Sequence, residues 1–410
     1  MTMHERVVDG DNPLLEWAMP NLIYLDAVSA VPPRPETIAA MHPYLTDAWG
    51  NPLSPHLAGD RPKEAVERAR GQVAALVGAA PAEVIFTASG SEANNLAIKG
   101  LAATAAARHR RHLIVSAVEH PSVTASCRAL EAQGFTTTVL PVDSTGRVDP
   151  SRLQSELTAW TAIVSIQAAS SEIGTLQSIA ELGSLTRRAG VPFHVDAVAA
   201  AGRIPLDMAS LQADAMSLSS NQLGGPSGVG ALIVRRGIRL EPLIHGGTQE
   251  RGRRAGLENV PGIVGMGVAA ELTRAELSSM ASRVEPLMAR LRDGLLMTLD
   301  GCQMTGHPTE RLPGHLSLVV EFVEGEALVM ALSRDGIAAA AGVTCRERTA
   351  WRASPALLAL GFEQALAQGA VVFSLWRGNT QEEVDRAVPL IAQHVAHLRA
   401  LSPIYAARVR

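Results

Sequence analysis

The chain has 410 residues, 47% of them apolar and 19% charged, with a net charge of −4. It is too apolar for a disordered chain and long enough for two domains, and its mild acidity argues against a general nucleic-acid binder. Only two of its 36 basic residues are lysines, Lys63 and Lys99, so any chemistry that needs a lysine amine has two candidates.

The N-terminal stretch 1–17 is acidic and lacks an apolar signal core. No apolar run reaches about 18 residues, which argues against a membrane span, and a cytoplasmic setting is expected. Short β-branched runs then recur at 84–87, 112–118, 136–142, 162–166, 193–195, 215–218 and 230–234. Stretches with helical spacing at 122–132, 151–160 and 179–189 lie between several of them. This alternation predicts an α/β fold with a mostly parallel seven-stranded sheet covered on both faces. The basic run 108–112 reads as a solvated helix end rather than a phosphate track. Past residue 265 the pattern changes to a long linking helix at 269–299, strands at 316–322 and 371–375, and a last helix at 380–401. The expected organisation is a large domain over 31–268, with a smaller α/β domain built from 1–30 and 269–410. Cys127, Cys302 and Cys345 lie far apart with no CxxC pair, so neither a metal site nor a disulfide framework is suggested.

In sheets of this kind ligands sit beyond the carboxyl ends of the strands. After run 84–87 comes Ala88-Ser89-Gly90-Ser91-Glu92-Ala93-Asn94, a turn opening a helix that offers N–H groups to an anion, or simply a serine cap. After the next run comes Glu119-His120-Pro121, and after 193–195 comes Asp196. A carboxylate there can hold a pyridinium nitrogen protonated or cap a helix.

Together the segments YLDAVSAVPPRPE (24–36), VIFTASGSEANNLAIKG (84–100), VEHPSV (118–123), SEIGTLQ (171–177), FHVDAV (193–198), RLEPLIHGGTQERGRRAGLENVPGIVGMG (239–267), EGEALVMAL (324–332), FSLWRGNT (373–380) and HLRALSP (397–403) resemble the cysteine desulfurase family, the NifS/IscS-like branch of class V aminotransferases. The resemblance implies a fold-type-I pyridoxal phosphate (PLP) transferase architecture and a homodimer. It implies sulfur drawn from L-cysteine onto a loop cysteine and passed to an iron–sulfur scaffold or another sulfur acceptor protein. By the same resemblance His120 stacks on the PLP ring, Asp196 faces its nitrogen, Ser91 and Ser219 contact the phosphate, Arg377 grips the substrate carboxylate, and Cys345 is the nucleophile that carries sulfur.

The segment that carries the family's Schiff-base lysine reads Ser219-Ser220-Asn221-Gln222-Leu223. Gln222 stands where the lysine is expected and Asn221 where a histidine is expected. An amide nitrogen is not nucleophilic, and loss of a covalent nucleophile costs on the order of 10⁶ in rate in other enzymes. Lys63 lies in a polar run, and Lys99 ends the helical segment 94–100. Other family positions differ too: Ala199 replaces a glutamine, Ser170-Ser171 an asparagine pair, Leu257 a threonine, and Val28-Ser29-Ala30-Val31 a threonine-rich turn. Arg346 and Arg348 flank Cys345 and favour its thiolate. Three readings stay open: a PLP-dependent desulfurase; a non-catalytic homologue acting as scaffold partner or sulfur carrier; and a repurposed enzyme that uses the old pocket for non-covalent PLP or pyridoxamine phosphate, or for cofactor-independent chemistry.

Overall fold

A computed structural model describes residues 22–342 and 353–408. The chain enters through β1 (Ile23–Tyr24) and then forms α1 (Pro35–Met41), α2 (Pro43–Thr46) and α3 (Leu57–Leu76). The seven apolar runs become β2 (Val84–Thr87), β3 (His112–Ser116), β4 (Thr136–Leu140), β5 (Thr161–Gln167), β6 (Phe193–Asp196), β7 (Ala215–Ser219) and β8 (Gly230–Val234). Between them lie α4 (Gly90–Ala106), α5 (Pro121–Glu131), α6 (Pro150–Glu156) and α7 (Ile179–Ala189). The strands form one sheet in the order β2-β8-β7-β6-β5-β3-β4. Of these, β8 runs antiparallel to both neighbours, β2 and β7, while the other pairs are parallel.

Burial on both faces explains why these strands read as unbroken apolar runs. Val84 and Phe86 of β2 pack into one core and Ile85 into the other, and Ile114 is likewise separated from Leu113 and Val115. Runs 112–118 and 136–142 extend past their strands because Val118 and Val142 are apolar for another reason, as they pack around Ile173 beyond the sheet. The helix expected at 151–160 stops at Glu156, where Leu157 turns extended and Thr158 N donates to Thr161 Oγ1 at 2.9 Å.

The linking helix α8 (Val260–Thr298) starts nine residues earlier than its amphipathic pattern indicates. Its first turns carry no polar stripe because they are buried against the large sheet's core through Ile263, Met266 and Ala269. Asn259 caps them, accepting from Gly262 N at 3.2 Å. Gly267 is needed there: a Cβ would lie 2.6 Å from the Ala69 backbone of α3. The second half of α8 buries Val284, Met288, Leu291 and Leu295 in a separate core.

The chain continues through β9 (Cys302–Met304), β10 (His315–Val320), α9 (Gly325–Arg334), β11 (Ile337–Ala338), β12 (Ala340–Ala341), α10 (Pro355–Ala359), α11 (Gln364–Ala367), β13 (Ala370–Ser374), α12 (Gln381–Ala400) and α13 (Pro403–Arg408); β10, α9, β13 and α12 complete the second core, while α10 and α11 pack with Val118 and Ile173. A four-stranded antiparallel sheet runs β12-β13-β10-β9, and β1 pairs with β11. No helix among the described residues is long and apolar enough to cross a membrane.

Candidate functional site

The carboxyl ends of β2, β3, β5, β6 and β7 converge on a cavity of about 340 Å³. Six of the residues singled out in the sequence line it: Ser91, His120, Asp196, Ser219, Asn221 and Gln222. Cys345 lies outside the described residues. Arg377 does not line this cavity; it faces a smaller void beside it. The reason is Glu276 of α8, whose carboxylate draws the Arg377 guanidinium to 3.4 Å and Arg34 to 3.0 Å.

Asp196 ends β6 and is buried. Its Oδ2 accepts from Asn94 Nδ2 at 2.7 Å and its Oδ1 from Val198 N at 3.0 Å. Burial pushes its carboxyl above the usual carboxylate range, against the opposing charge of His120 and these two hydrogen bonds. Asn94 Nδ2 also donates to Ser122 Oγ at 2.9 Å, and Ser122 Oγ lies 2.7 Å from His120 Nδ1. His120 caps α5, its Nδ1 accepting from Ser122 N at 3.1 Å.

At the mouth of α4, Ser89 is the helix cap that its residue type suggests, accepting from Glu92 N at 3.1 Å. Gly90 has no room for a side chain: a Cβ would sit 2.6 Å from Val198 and 3.3 Å from Ser219. The helix start therefore lies flush with the cavity wall and presents its backbone N–H groups there.

On the opposite wall, Gln222 is buried at the end of the short 3-10 turn Ser220–Gln222. Its Nε2 donates to Val28 O at 2.8 Å and Ser29 O at 3.1 Å, pinning the chain after β1 over the cavity. Its Oε1 is buried without a hydrogen-bond partner among the described residues. Asn221 Nδ2 adds a bond to Ser29 O at 3.1 Å, and Ser219 Oγ donates to Asn221 Oδ1 at 2.5 Å. Neither lysine of the chain is part of this wall. Lys63 is exposed on α3. Lys99 is not at a helix end: α4 runs on through Ala106, because Leu101, Ala102 and Ala105 continue its buried face.

Three contributors were not singled out from the sequence. Asn94 is the polar break in the otherwise apolar buried face of α4, a signal that periodicity carried. Gln167 ends β5 and lines the cavity, where the rule of strand ends points. Glu119, next to His120, accepts from Ser116 Oγ at 2.5 Å and from Gln167 N at 3.0 Å. Burial pushes its carboxyl up to about 8, partly opposed by those hydrogen bonds. Of the positions read as differing from the family, Val28, Ser29, Ser171 and Ala199 line the cavity, whereas Leu257 is 61% exposed. Cys127 is packed in the core and Cys302 is half-buried.

The family model described as aminotransferase class-V matches residues 23–387. Cysteine desulfurase 2 of Trichormus variabilis is 43% identical over 383 residues, 93% of this chain and 95% of that protein. Cysteine desulfurase IscS of Methanosarcina thermophila is 41% identical over 382 residues, 93% and 94% of the two chains. Among solved structures, a NifS-like protein superposes with a TM-score of 0.86 at 33% identity, covering 92% of this chain and all of its own.

Proposed function

The chain belongs to the class V aminotransferases and, within them, to the cysteine desulfurases, and from that membership we propose a role in sulfur trafficking without a covalently anchored PLP. The observation that carries this reading is Gln222. Its amide occupies the cavity wall, is committed to Val28 O and Ser29 O, and has no lysine beside it.

The ring and phosphate of PLP fit the residues present; its covalent anchor does not. Asp196 would hold a proton on the pyridine nitrogen, and His120 would cover the ring. Ser91, Ser219 and the start of α4 would take the phosphate. An amide cannot attack the aldehyde, and no basic amine is placed to move a proton at the substrate carbon. The cradle thus supports reversible binding of PLP or of pyridoxamine phosphate, and no turnover step is assigned to it. A second reading, a repurposed pocket, draws on the same cavity: Ala199 leaves room in its wall for another small molecule.

Cys345 is the sulfur carrier in this proposal. Its thiolate would attack the terminal sulfur of a donor persulfide, form a new S–S bond and release the donor thiolate. The donor is an active desulfurase or a small persulfide, and the acceptor an iron–sulfur scaffold or another sulfur acceptor protein. A homodimer completes the proposal. Leu45, Trp49, Leu53 and Leu57 are at least 50% exposed, and the loop holding Leu53 adjoins the 248–251 segment that leads to exposed Leu257, an apolar surface suited to a second copy.

The test is to incubate the purified protein with PLP, reduce with borohydride and measure intact mass, then repeat with a persulfide donor and map the modified thiol. The expected result is no PLP adduct and one added sulfur on Cys345. A reducible adduct on the wild-type chain, or sulfide release from L-cysteine, overturns the proposal.

A further inference from the structure

The edge of the large sheet away from the cavity carries a second concavity, of about 310 Å³. It lies at the amino ends of β5, β6 and β7, marked by Ala162, Pro192 and Asp214, and at the carboxyl end of antiparallel β8, marked by Arg235. Seven residues of β5 separate the two edges by about 20 Å.

Five arginines line it: Arg108 and Arg110 beyond α4, Arg187 in the last turn of α7, and Arg235 and Arg239 after β8. Its one carboxylate is Asp214, which is already committed: Oδ1 accepts Arg235 Nε at 2.7 Å, and Oδ2 accepts Phe193 N at 3.0 Å. Arg110 Nη1 reaches Gly190 O at 3.1 Å and Arg187 Nη2 reaches Gln212 O at 3.4 Å, neutral partners that leave both charges uncompensated. Arg108 and Arg239 are exposed and form no ion pair among the described residues. Four positive charges thus face one groove without a counter-charge among the described residues, in a chain whose net charge is −4. Basic residues at helix carboxyl ends are ordinary, and that accounts for Arg108, Arg110 and Arg187. It does not account for Arg235 and Arg239, which follow a strand.

We propose that this groove binds a small organic phosphate of the nucleotide class, at a site separate from the cofactor-type cavity. Guanidiniums match phosphate oxygens two-pronged, and several of them suit a multiply charged group. The floor is apolar, formed by Leu101, Ala105, Val191, Pro192 and Ile238, and suits an organic body. Its volume lies in the range of small-ligand sites. A nucleic-acid strand needs a basic track that continues beyond one groove, against this chain's overall charge.

The test is calorimetric titration of the full chain with ATP and, separately, with inorganic pyrophosphate, both without metal. ATP binds at least about tenfold tighter than pyrophosphate, the apolar floor supplying the difference. The double variant Arg108→Ala/Arg239→Ala weakens ATP binding at least about tenfold, with its unfolding midpoint unchanged because neither side chain has an ion-pair partner to lose. Equal affinity for the two probes means charge alone holds them and overturns the proposal. So does ATP binding that the double variant leaves intact, which places it elsewhere, or no ATP binding where a short oligonucleotide or an acidic peptide binds.

Discussion

Placing an amine at position 222 is the sharpest perturbation of the candidate site. In Gln222→Lys the new side chain enters a wall where the glutamine is 8% exposed, and it borders the small void that Arg34, Arg203 and Arg377 also line. Desolvation and like charge both favour the neutral amine. A fully buried lysine falls 3–5 units from its usual value of about 10.4; with one side on the cavity, a fall of about 2.4 units is reasonable. At pH 8 the neutral fraction then rises from about 0.4% to about half, roughly a hundredfold gain in amine able to attack an aldehyde. The same shift costs about 3 kcal/mol of stability. Because the folded value lies below the unfolded one, this penalty is complete below about pH 8, shrinks as pH rises, and vanishes above about 10.4. Gln222→Met is the control: it lacks an amine, gives up the bonds to Val28 O and Ser29 O, and loses about 1–3 kcal/mol with no pH dependence. The assay is visible absorbance after PLP addition, intact mass after borohydride, and urea unfolding from about pH 7 to above 10.4. An adduct in Gln222→Lys but not in wild type supports the reasoning. No adduct, together with the expected pH-dependent penalty, shows that the ring and phosphate cradle has itself been lost; an adduct in wild type refutes the argument from Gln222.

Glu119, pushed up to about 8 by burial, favours its protonated form in the fold; that contribution is complete below the ordinary value of 4.5 and is lost as pH rises through about 8, so urea unfolding shows wild type losing stability over this window relative to Glu119→Gln. With limiting alkylating agent near pH 8, Cys345 is modified first by peptide mapping, because burial pushes the Cys127 thiol up to about 12 and the Cys302 thiol up to about 11; earlier labelling of Cys302 contradicts this. Glu250→Ala takes from the buried Arg70 guanidinium its buried carboxylate, held at 2.7 and 2.9 Å, and leaves it only the half-exposed Glu67; this costs about 3 kcal/mol in urea unfolding, most of which Arg70→Met/Glu250→Leu recovers. Trp49→Asp with Leu57→Asp shifts sedimentation toward the monomer if the exposed apolar face seats a second copy.

The large sheet was legible because its strands are buried on both faces: in β8 every residue from Gly230 to Val234 is buried, and the run carries that composition. Helix α7 was legible to the residue, since Leu182 and Leu185 give it a clear apolar stripe. The short strands β1, β11 and β12 were not, because two residues cannot show a period of two. The start of α8 was hidden by burial all round. At the site, residues following strands were legible by position, which is how His120 and Asp196 entered consideration, whereas Ser219 entered only through the family resemblance. The direction of Arg377 was not, because Glu276, 101 residues away on α8, decides it.

His120 and Asp196 have structural roles that do not require a cofactor. Asp196 Oδ2, Asn94 Nδ2, Ser122 Oγ and His120 Nδ1 form one hydrogen-bonded chain that ties β6 to α4 and to the cap of α5. Replacing Asn94 by Ala takes a donor from the buried Asp196 carboxylate, at about 1–3 kcal/mol. Gln222 stands in a different position. A lysine at this place would be desolvated beside Arg34, Arg203 and Arg377, whereas the amide bonds two backbone carbonyls at no cost in charge. The buried carboxylate and the imidazole are therefore weak evidence of PLP use, and the pH-dependent penalty of Gln222→Lys measures what a charged amine would cost the fold at this place.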